Sequence, residues 1–322
     1  MADFTYDSAY IYLEDEDYYK EPKEIFKFVK KYIDIYLKKD IDISLLDVGC
    51  AKGEFLYYMK NNAHNIKSMD GVDLLPVLID AAKSFEGLKG VDFFCESAGA
   101  YKLEKKYNVV TMLGLISAMT NIDDVFTASS KHQNSGDLLF ILSRFNNHNV
   151  DVYHKFSNSY KGNDFKMTVS YSKETVNNLL NQNGYSLLDD VRFNLPFDIE
   201  EGTKDPIRSW TVKTDSGRRF KNGLGLIFDL DMLICQKNKD TWKYKYDYQS
   251  GNTYRVCTNS SSTSIWRNNY QTGSSLKLKI LIAHIVEETK RAMGTTMLVI
   301  ITILVLVSLV MLQVGQEPAI KN

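Results

Sequence analysis

The sequence contains few cysteines, and none of them forms a pair with metal-ligand spacing. Its 322 residues include four cysteines, which are widely separated: Cys50, Cys95, Cys235 and Cys257. Without a C-x-x-C pair, the sequence predicts neither a zinc site nor a disulfide framework, and we expect no bound metal. Scattered cysteines in apolar runs are typical of a reducing compartment, where the thiol serves as a small core residue.

A strong excess of one charge is also missing. The formal net charge is −1, which argues against a nucleic-acid partner, because such proteins present a basic surface. Residues 1–16 are acidic and aromatic and contain neither a basic region nor an apolar run, so they do not resemble a secretory signal peptide. We expect residues 1–23 to form an N-terminal arm, or a flap over a ligand.

One long stretch near the C-terminus has no charged side chain. Residues 292–316 contain no Asp, Glu, Lys or Arg, and the apolar run 297–314 approaches the ~20 residues that a helix needs to cross a bilayer. Lys290 and Arg291 precede this run, and basic residues stay on the cytoplasmic side. The pattern predicts a membrane protein with a single-pass C-terminal anchor and a body that faces the cytosol. The alternative is a buried core helix.

Strand and helix patterns alternate over residues 24–237. A helical repeat of apolar residues precedes short apolar runs that predict parallel strands, at 44–48, 66–74, 91–95, 107–113 and 137–143. A closing pair of strands is expected at 185–193 and 224–236, after a polar segment and around a loop-rich insertion. This alternation predicts an α/β fold: a Rossmann-like, doubly wound, mostly parallel seven-stranded sheet.

The composition changes near residue 237. Residues 238–275 are rich in Tyr, Ser, Asn and Thr with little apolar periodicity, which predicts a linker or a loosely ordered appendage. Residues 276–322 are expected to form an amphipathic helix followed by the membrane-spanning segment. The single folded domain is therefore predicted to cover residues 24–237.

The most informative stretch lies at the end of the first predicted strand. An apolar run reaches Asp47, and small residues follow at every second position, at Gly49, Ala51 and Gly53. Small residues allow a ligand to approach the backbone closely, and the next helix offers free N–H groups at its start. In sheets of this type, ligands bind beyond the carboxyl ends of the strands.

Two further acids follow the neighbouring strands. Asp73 ends the second predicted strand, where a carboxylate can accept both hydroxyls of a ribose, and Glu96 follows the third, where it can meet an adenine amino group. The dinucleotide fingerprint needs a glycine where this chain has Glu54, and a Gly-Lys-Ser/Thr phosphate loop is missing. An acid at a helix start also repels a pyrophosphate. The turn therefore suits an adenosine cofactor without phosphates.

These residues resemble the motifs of the class I S-adenosylmethionine-dependent methyltransferases. Residues 47–53 resemble motif I, D-x-G-x-G-x-G, with Ala51 at the middle glycine. Further resemblances follow in order, at 71–74, 94–97, 107–114 and 136–141. The resemblance covers about residues 24–236 and implies S-adenosylmethionine as the cofactor. The positions it implies for cofactor binding are Asp47, Gly49, Cys50, Ala51, Gly53, Asp73, Leu74, Glu96, Ser97, Leu113 and Gly114.

The sequence also departs from this family. Small-molecule members often have Glu-His after the fourth strand, where this chain has Ser117 and Ala118. Enzymes that methylate nucleic-acid amino groups carry an Asn/Asp-Pro-Pro-Tyr motif, which this sequence does not contain. A hydroxyl acceptor needs a base. The candidates are His148 and His154, for which a solvated loop histidine is the alternative. Arg144 is a candidate either to hold an anionic acceptor or to form a surface ion pair.

We therefore expect methyl transfer, on oxygen, to a small-molecule, glycan or lipid-linked acceptor at a membrane. The alternative from another functional class is a catalytically silent protein that binds the cofactor, or nothing, and acts as a membrane-anchored scaffold.

Overall fold

A computed structural model describes residues 12–13, 18–38, 40–157, 165–201, 210–223, 226–238, 242–247, 252–257 and 265–266. The chain divides into two compact units: the first holds the described residues up to 238, and the second holds those from 242 onward. Across the described ranges, no helix is long and apolar enough to cross a membrane. The predicted amphipathic and membrane-spanning segment, 276–322, lies outside them.

The described strands, numbered in chain order, are β1 (Ile43–Val48), β2 (Ile66–Asp73), β3 (Asp92–Cys95), β4 (Val109–Leu113), β5 (Leu138–Ser143), β6 (Phe145–Asn146), β7 (Val152–Ser157), β8 (Phe165–Ser172), β9 (Tyr185–Phe193), β10 (Trp210–Lys213), β11 (Arg219–Gly223), β12 (Leu226–Phe228), β13 (Leu230–Lys237), β14 (Trp242–Asp247), β15 (Asn252–Cys257) and β16 (Ile265–Trp266). The helices of four residues or more are α1 (Glu24–Tyr36), α2 (Glu54–Asn62), α3 (Pro76–Ser84), α4 (Asp123–Lys131) and α5 (Lys173–Gln182).

Seven strands of the first unit form one sheet, in the order β3-β2-β1-β4-β5-β13-β9. The strands from β1 to β5 pair in parallel, whereas β13 is antiparallel to both β5 and β9. This arrangement confirms the predicted Rossmann-like, mostly parallel seven-stranded sheet. The chain runs outward from β1 to β3 on one side and from β4 to β5 on the other, so the strand order reverses between β1 and β4. A ligand crevice is expected at such a reversal.

Both faces of the sheet are covered by helices because the central strands are apolar on both sides. On one face, Leu45 of β1 lies in a buried cluster with residues of α1, α2 and α3. On the other face, Leu46 and Val48 lie in a cluster with residues of α4 and α5. The helix α5 begins after Ser172, whose hydroxyl accepts a hydrogen bond from the Thr175 N–H, as an N-cap residue does.

The structure differs from the predicted pattern in two places. The segment after β5, predicted as polar and irregular, contains β6, β7 and β8, with β7 and β8 forming an antiparallel pair. Side-chain exposure in β7 alternates residue by residue, with one face half-buried and the other exposed. The many polar side chains of this strand hid that alternation from the sequence analysis. The predicted insertion and closing strand hold a small antiparallel sheet, β10-β11-β12, ahead of β13.

The second unit contains a three-stranded antiparallel sheet, β14-β15-β16. These strands fall within residues 238–275, which the sequence predicted to be a linker or a loosely ordered appendage. The predicted domain boundaries stay a prediction.

Candidate functional site

The loop between β1 and α2 is bound to the end of β2. The N–H groups of Gly49 and Cys50 both donate to the Val72 carbonyl oxygen, at 2.8 and 3.0 Å. Gly53 has a φ of +80°, and a Cβ at this position would lie 2.8 Å from the Leu88 Cδ1 atom. The last small residue of the motif is therefore required both by the left-handed backbone and by close packing.

Asp73 fixes the shape of this loop. Its Oδ2 atom accepts a hydrogen bond from the Ala51 N–H at 2.9 Å, and its Oδ1 atom accepts one from the Leu75 N–H at 3.0 Å. Burial raises the pKa of Asp73, and the backbone N–H donors oppose that shift. Each carboxylate oxygen keeps a further lone pair, so Asp73 can order the loop and still accept a ligand hydroxyl.

Asp47 and Cys50 support the loop from below. Asp47 is only 3% exposed, and its Oδ1 atom accepts a hydrogen bond from the Thr111 hydroxyl at 2.6 Å. Burial raises the pKa of Asp47 to about 7, although the Thr111 bond opposes the shift. Burial also raises the pKa of the Cys50 thiol. Neither side chain lines the cavity described next, and a protonated, buried Cys50 is a packing residue.

A cavity of about 290 Å³ opens beyond the carboxyl ends of the central strands. Its wall brings together most of the residues that the sequence predicted to bind the cofactor: Gly49, Ala51, Asp73, Leu74, Glu96, Leu113 and Gly114. The remaining predicted residues, Asp47, Cys50, Gly53 and Ser97, are not part of this wall. Glu96 is held beside Asp73 because its N–H donates to the Asp73 carbonyl oxygen at 3.0 Å.

The N-terminal arm reaches the same region. Tyr12 of the arm lines the cavity, as does Ile25 of α1. The Tyr19 hydroxyl donates to the Lys52 carbonyl oxygen at 2.6 Å, and its ring stacks on Phe85 at a centroid distance of 3.8 Å. Part of this arm therefore contacts the loop that follows β1.

The wall also contains Arg144, which follows β5 and was a sequence candidate for holding an anionic acceptor. Other wall residues were missed by sequence reasoning: Ser143 ends β5, and Lys221 and Phe228 come from β11 and β12. The position of Ser143 was detectable, because it ends a central strand just as Asp73 does. No motif marks Lys221, which lies in the small antiparallel sheet.

The two histidines proposed as bases do not line the cavity. His148 is exposed, and its backbone N–H donates to the Asn146 Oδ1 atom at 3.0 Å. His154 is half-buried in β7, where burial and the positive charge of Arg144 lower its pKa. Within the part of the chain that the structure describes, no group of three or more His, Cys, Asp or Glu residues is arranged to hold a metal ion.

Comparison with known proteins agrees with this geometry. A family model described as a methyltransferase domain matches residues 19–189, more than half of the chain. The chain therefore belongs to this methyltransferase family. It is an S-adenosylmethionine-dependent enzyme of class I, and S-adenosylmethionine is its cofactor.

Several solved structures are similar to this one at low sequence identity. An S-adenosylmethionine-dependent methyltransferase from Clostridium acetobutylicum is 14% identical, with 71% of this chain and 95% of that chain covered and a TM-score of 0.47. One from Methanosarcina mazei is 14% identical, with 65% and 98% covered and a TM-score of 0.46. CalS10, an amino pentose methyltransferase from Micromonospora echinaspora, is 13% identical, with 74% and 100% covered and a TM-score of 0.42. No curated protein matches the sequence.

Proposed function

We propose that the cavity binds S-adenosylmethionine with its ribose on Asp73 and its adenine near Glu96. The observation that carries this assignment is the double role of Asp73, which lines the cavity and also fixes the glycine-containing loop through the Ala51 N–H. A carboxylate at the end of β2 is well placed to accept both ribose hydroxyls. The methionine half of the cofactor then extends past Gly49 toward Gly114, at the point where the strand order reverses.

We propose that the methyl group passes to an oxygen of a small-molecule, glycan or lipid-linked acceptor. Methyl transfer is an in-line displacement at the sulfonium, so holding the two reactants in line supplies much of the acceleration. The acceptor side of the cavity lies beyond β4, where Ser143 and Arg144 line the wall.

The base that deprotonates a hydroxyl acceptor is proposed to be one of the two predicted histidines. His154 has the stronger support, because it lies close enough to Arg144 for that charge to lower its pKa, and Arg144 lines the cavity. A lowered pKa keeps the imidazole neutral near pH 7, which is the form that accepts a proton. His148 has no such link to the cavity.

We also propose that the enzyme is held at a membrane by residues 297–314, with its body on the cytosolic side. The support is the uncharged run after Lys290 and Arg291. A membrane location would bring lipid-linked acceptors within reach of the cavity.

The proposed activity is tested by incubating the full-length chain with S-adenosylmethionine and a panel of hydroxyl-bearing small molecules, glycans and lipid-linked glycans. We expect S-adenosylhomocysteine to accumulate with at least one acceptor class, together with a product heavier by one methyl group in mass spectrometry. Asp73→Asn is the matched inactive control. Tight cofactor binding without turnover across the whole panel would instead favour the scaffold alternative.

A further inference from the structure

Two cationic side chains line the cavity at the side away from the two acids. Lys221 of β11 pairs directly with Phe228 of β12, so their side chains project from the same face of the small sheet. The Arg144 guanidinium carbon lies 4.5 Å from the centre of the Phe228 ring. Lys221, Arg144 and Phe228 thus form one continuous part of the cavity wall.

Lys221 carries its charge in a poorly solvated position. Its Nζ atom lies 4.7 Å from the centre of the Phe193 ring, and no carboxylate pairs with it among the described residues. Burial alone lowers the pKa of Lys221 to about 8. A half-buried ammonium without an anionic partner is partly desolvated, which costs free energy, and a ligand that supplies a negative charge reduces this cost.

The side chain of Ser143, which precedes Arg144 in the chain, also lines the cavity. Ser143 is 1% exposed, and within the described part of the chain its Oγ atom makes no hydrogen bond. Buried polar atoms are almost always hydrogen-bonded. Because Ser143 lines the cavity, its hydroxyl is available to donate to a ligand.

The strand order separates these groups from the proposed adenosine site. Asp73 ends β2 and Ser143 ends β5, and β1 and β4 lie between those strands. Adjacent strands are about 4.8 Å apart, so the two strand ends are separated by roughly 14 Å. The cavity therefore has carboxylates at the end assigned to adenosine and cations at the opposite end.

We propose that Lys221, Arg144 and Ser143 bind a carboxylate or phosphate group of the methyl acceptor. The substrate is then an acidic small molecule or a phosphate-bearing lipid or sugar. This inference rests on the proposed function, because it takes the acid-lined end of the cavity as the cofactor site. The methionine half of the cofactor also carries a carboxylate, and this group is the rival ligand for Lys221, Arg144 and Ser143.

The test uses the full-length chain saturated with S-adenosylhomocysteine and titrated by calorimetry with inorganic phosphate and, separately, with acetate. We expect saturable binding of at least one anion to the wild type. Lys221→Gln should weaken it roughly tenfold or more, because a hydrogen bond to a charged group is lost, and Ser143→Ala should weaken it by a smaller factor. Lys213→Gln, which changes an exposed lysine of the same small sheet, should leave it unchanged.

A second measurement separates this role from that of a general structural lysine. In lysine-labelled protein followed by NMR, the bound anion should raise the pKa of Lys221 by about one pH unit, because an opposite charge favours the ammonium form. No change in this pKa at saturating anion would overturn the proposal, even if Lys221→Gln fails to fold.

The remaining outcomes are distinct. If Lys221→Gln weakens S-adenosylhomocysteine binding tenfold, the cations hold the cofactor carboxylate and the acceptor inference is wrong. If the wild-type complex binds neither anion, or if Lys221→Gln and Lys213→Gln behave alike, the inference is also wrong, while the proposed function stands. Failure of the wild type to bind S-adenosylhomocysteine would instead remove the proposed function.

Discussion

Replacing Asp73 with asparagine changes one atom and removes one charge at the centre of the proposed site. In the wild type, the two carboxylate oxygens accept the N–H groups of Ala51 and Leu75 at 2.9 and 3.0 Å. The side-chain amide of the Asp73→Asn variant has only one oxygen to accept with, and its NH2 group then faces the other N–H donor. One charge-assisted hydrogen bond is therefore lost, and a partly buried N–H is left without a partner.

The size of this effect follows from the number of bonds lost. A hydrogen bond to a charged group contributes about 1.5–3 kcal/mol, so we expect Asp73→Asn to lower the free energy of unfolding by about 2 kcal/mol. Burial raises the pKa of Asp73 in the wild type because it disfavours the charged carboxylate. The neutral amide of the variant avoids this cost, which keeps the loss of stability at the lower end of that range. For the cofactor, weakening two ribose hydrogen bonds by about 1.5 kcal/mol each lowers the affinity roughly 100-fold.

The assay is isothermal calorimetry with S-adenosylhomocysteine, together with urea denaturation of the same samples. Asp80→Asn is the matched control, because Asp80 is an exposed aspartate on α3, the helix that begins just after Asp73. The control should match the wild type in both measurements. If Asp73→Asn unfolds cooperatively and binds S-adenosylhomocysteine within about threefold of the wild type, the assignment of the adenosine end is wrong.

Three further predictions concern other parts of the chain. Ala51 has a left-handed backbone with a φ of 48° and lines the cavity. Ala51→Val should therefore lower the free energy of unfolding by about 2 kcal/mol in urea denaturation and weaken S-adenosylhomocysteine binding at least tenfold. Ala51→Gly should bind like the wild type, and equal behaviour of the two variants would contradict this prediction. The pKa of Asp47 is about 7 in the folded protein and 3.8 as the ordinary value, so the folded state binds more protons and its stability falls as the pH rises from about 4 to about 7. The free energy of unfolding of Asp47→Asn, measured by urea denaturation relative to the wild type, should therefore be higher at pH 8 than at pH 5. An equal difference between variant and wild type at both pH values would refute the raised pKa of Asp47. Deletion of residues 292–322 should release the body into the soluble fraction after ultracentrifugation, and a full-length chain that is already soluble without detergent would disprove the proposed anchor.

The parallel half of the fold was predictable because its sequence signals are local. The buried strands contain short apolar runs, and their ends are recognisable, as at Val48 before the loop and at Asp73 before α3. Pro76 at the start of α3 and the N-cap Ser172 before α5 are local signals of the same kind. The regular alternation of strands and helices predicts that these strands form a parallel sheet.

The later strands were harder to predict because their stability comes from pairing rather than from local pattern. The strand β7 is exposed on one face and rich in polar residues, and it is a strand because it pairs with β8. For His154, a candidate base, a solvated loop was the alternative predicted from the sequence, whereas the structure places this residue in β7. The small sheet of β10, β11 and β12 has the same character, with five or fewer residues per strand.

One end of the candidate site was predictable from local sequence signals, whereas the other end depends on contacts between distant parts of the chain. The adenosine end was predictable from the acids that follow β2 and β3, because parallel strand ends converge at one edge of the sheet. The opposite end depends on Lys221, which enters the cavity from a distant antiparallel strand, and sequence spacing alone does not report such a contact. Arg144 was identified as a candidate for an anion, and the structure places it in the cavity wall beside Phe228.

A crystal structure of the chain with S-adenosylhomocysteine would show directly where the cofactor binds. We expect both ribose hydroxyls within hydrogen-bond distance of the Asp73 carboxylate, with the adenine beside Glu96 and the sulfur directed toward the side of Ser143 and Arg144. Binding of S-adenosylhomocysteine outside this cavity, or in the reverse orientation with its methionine half at Asp73, would contradict this expectation.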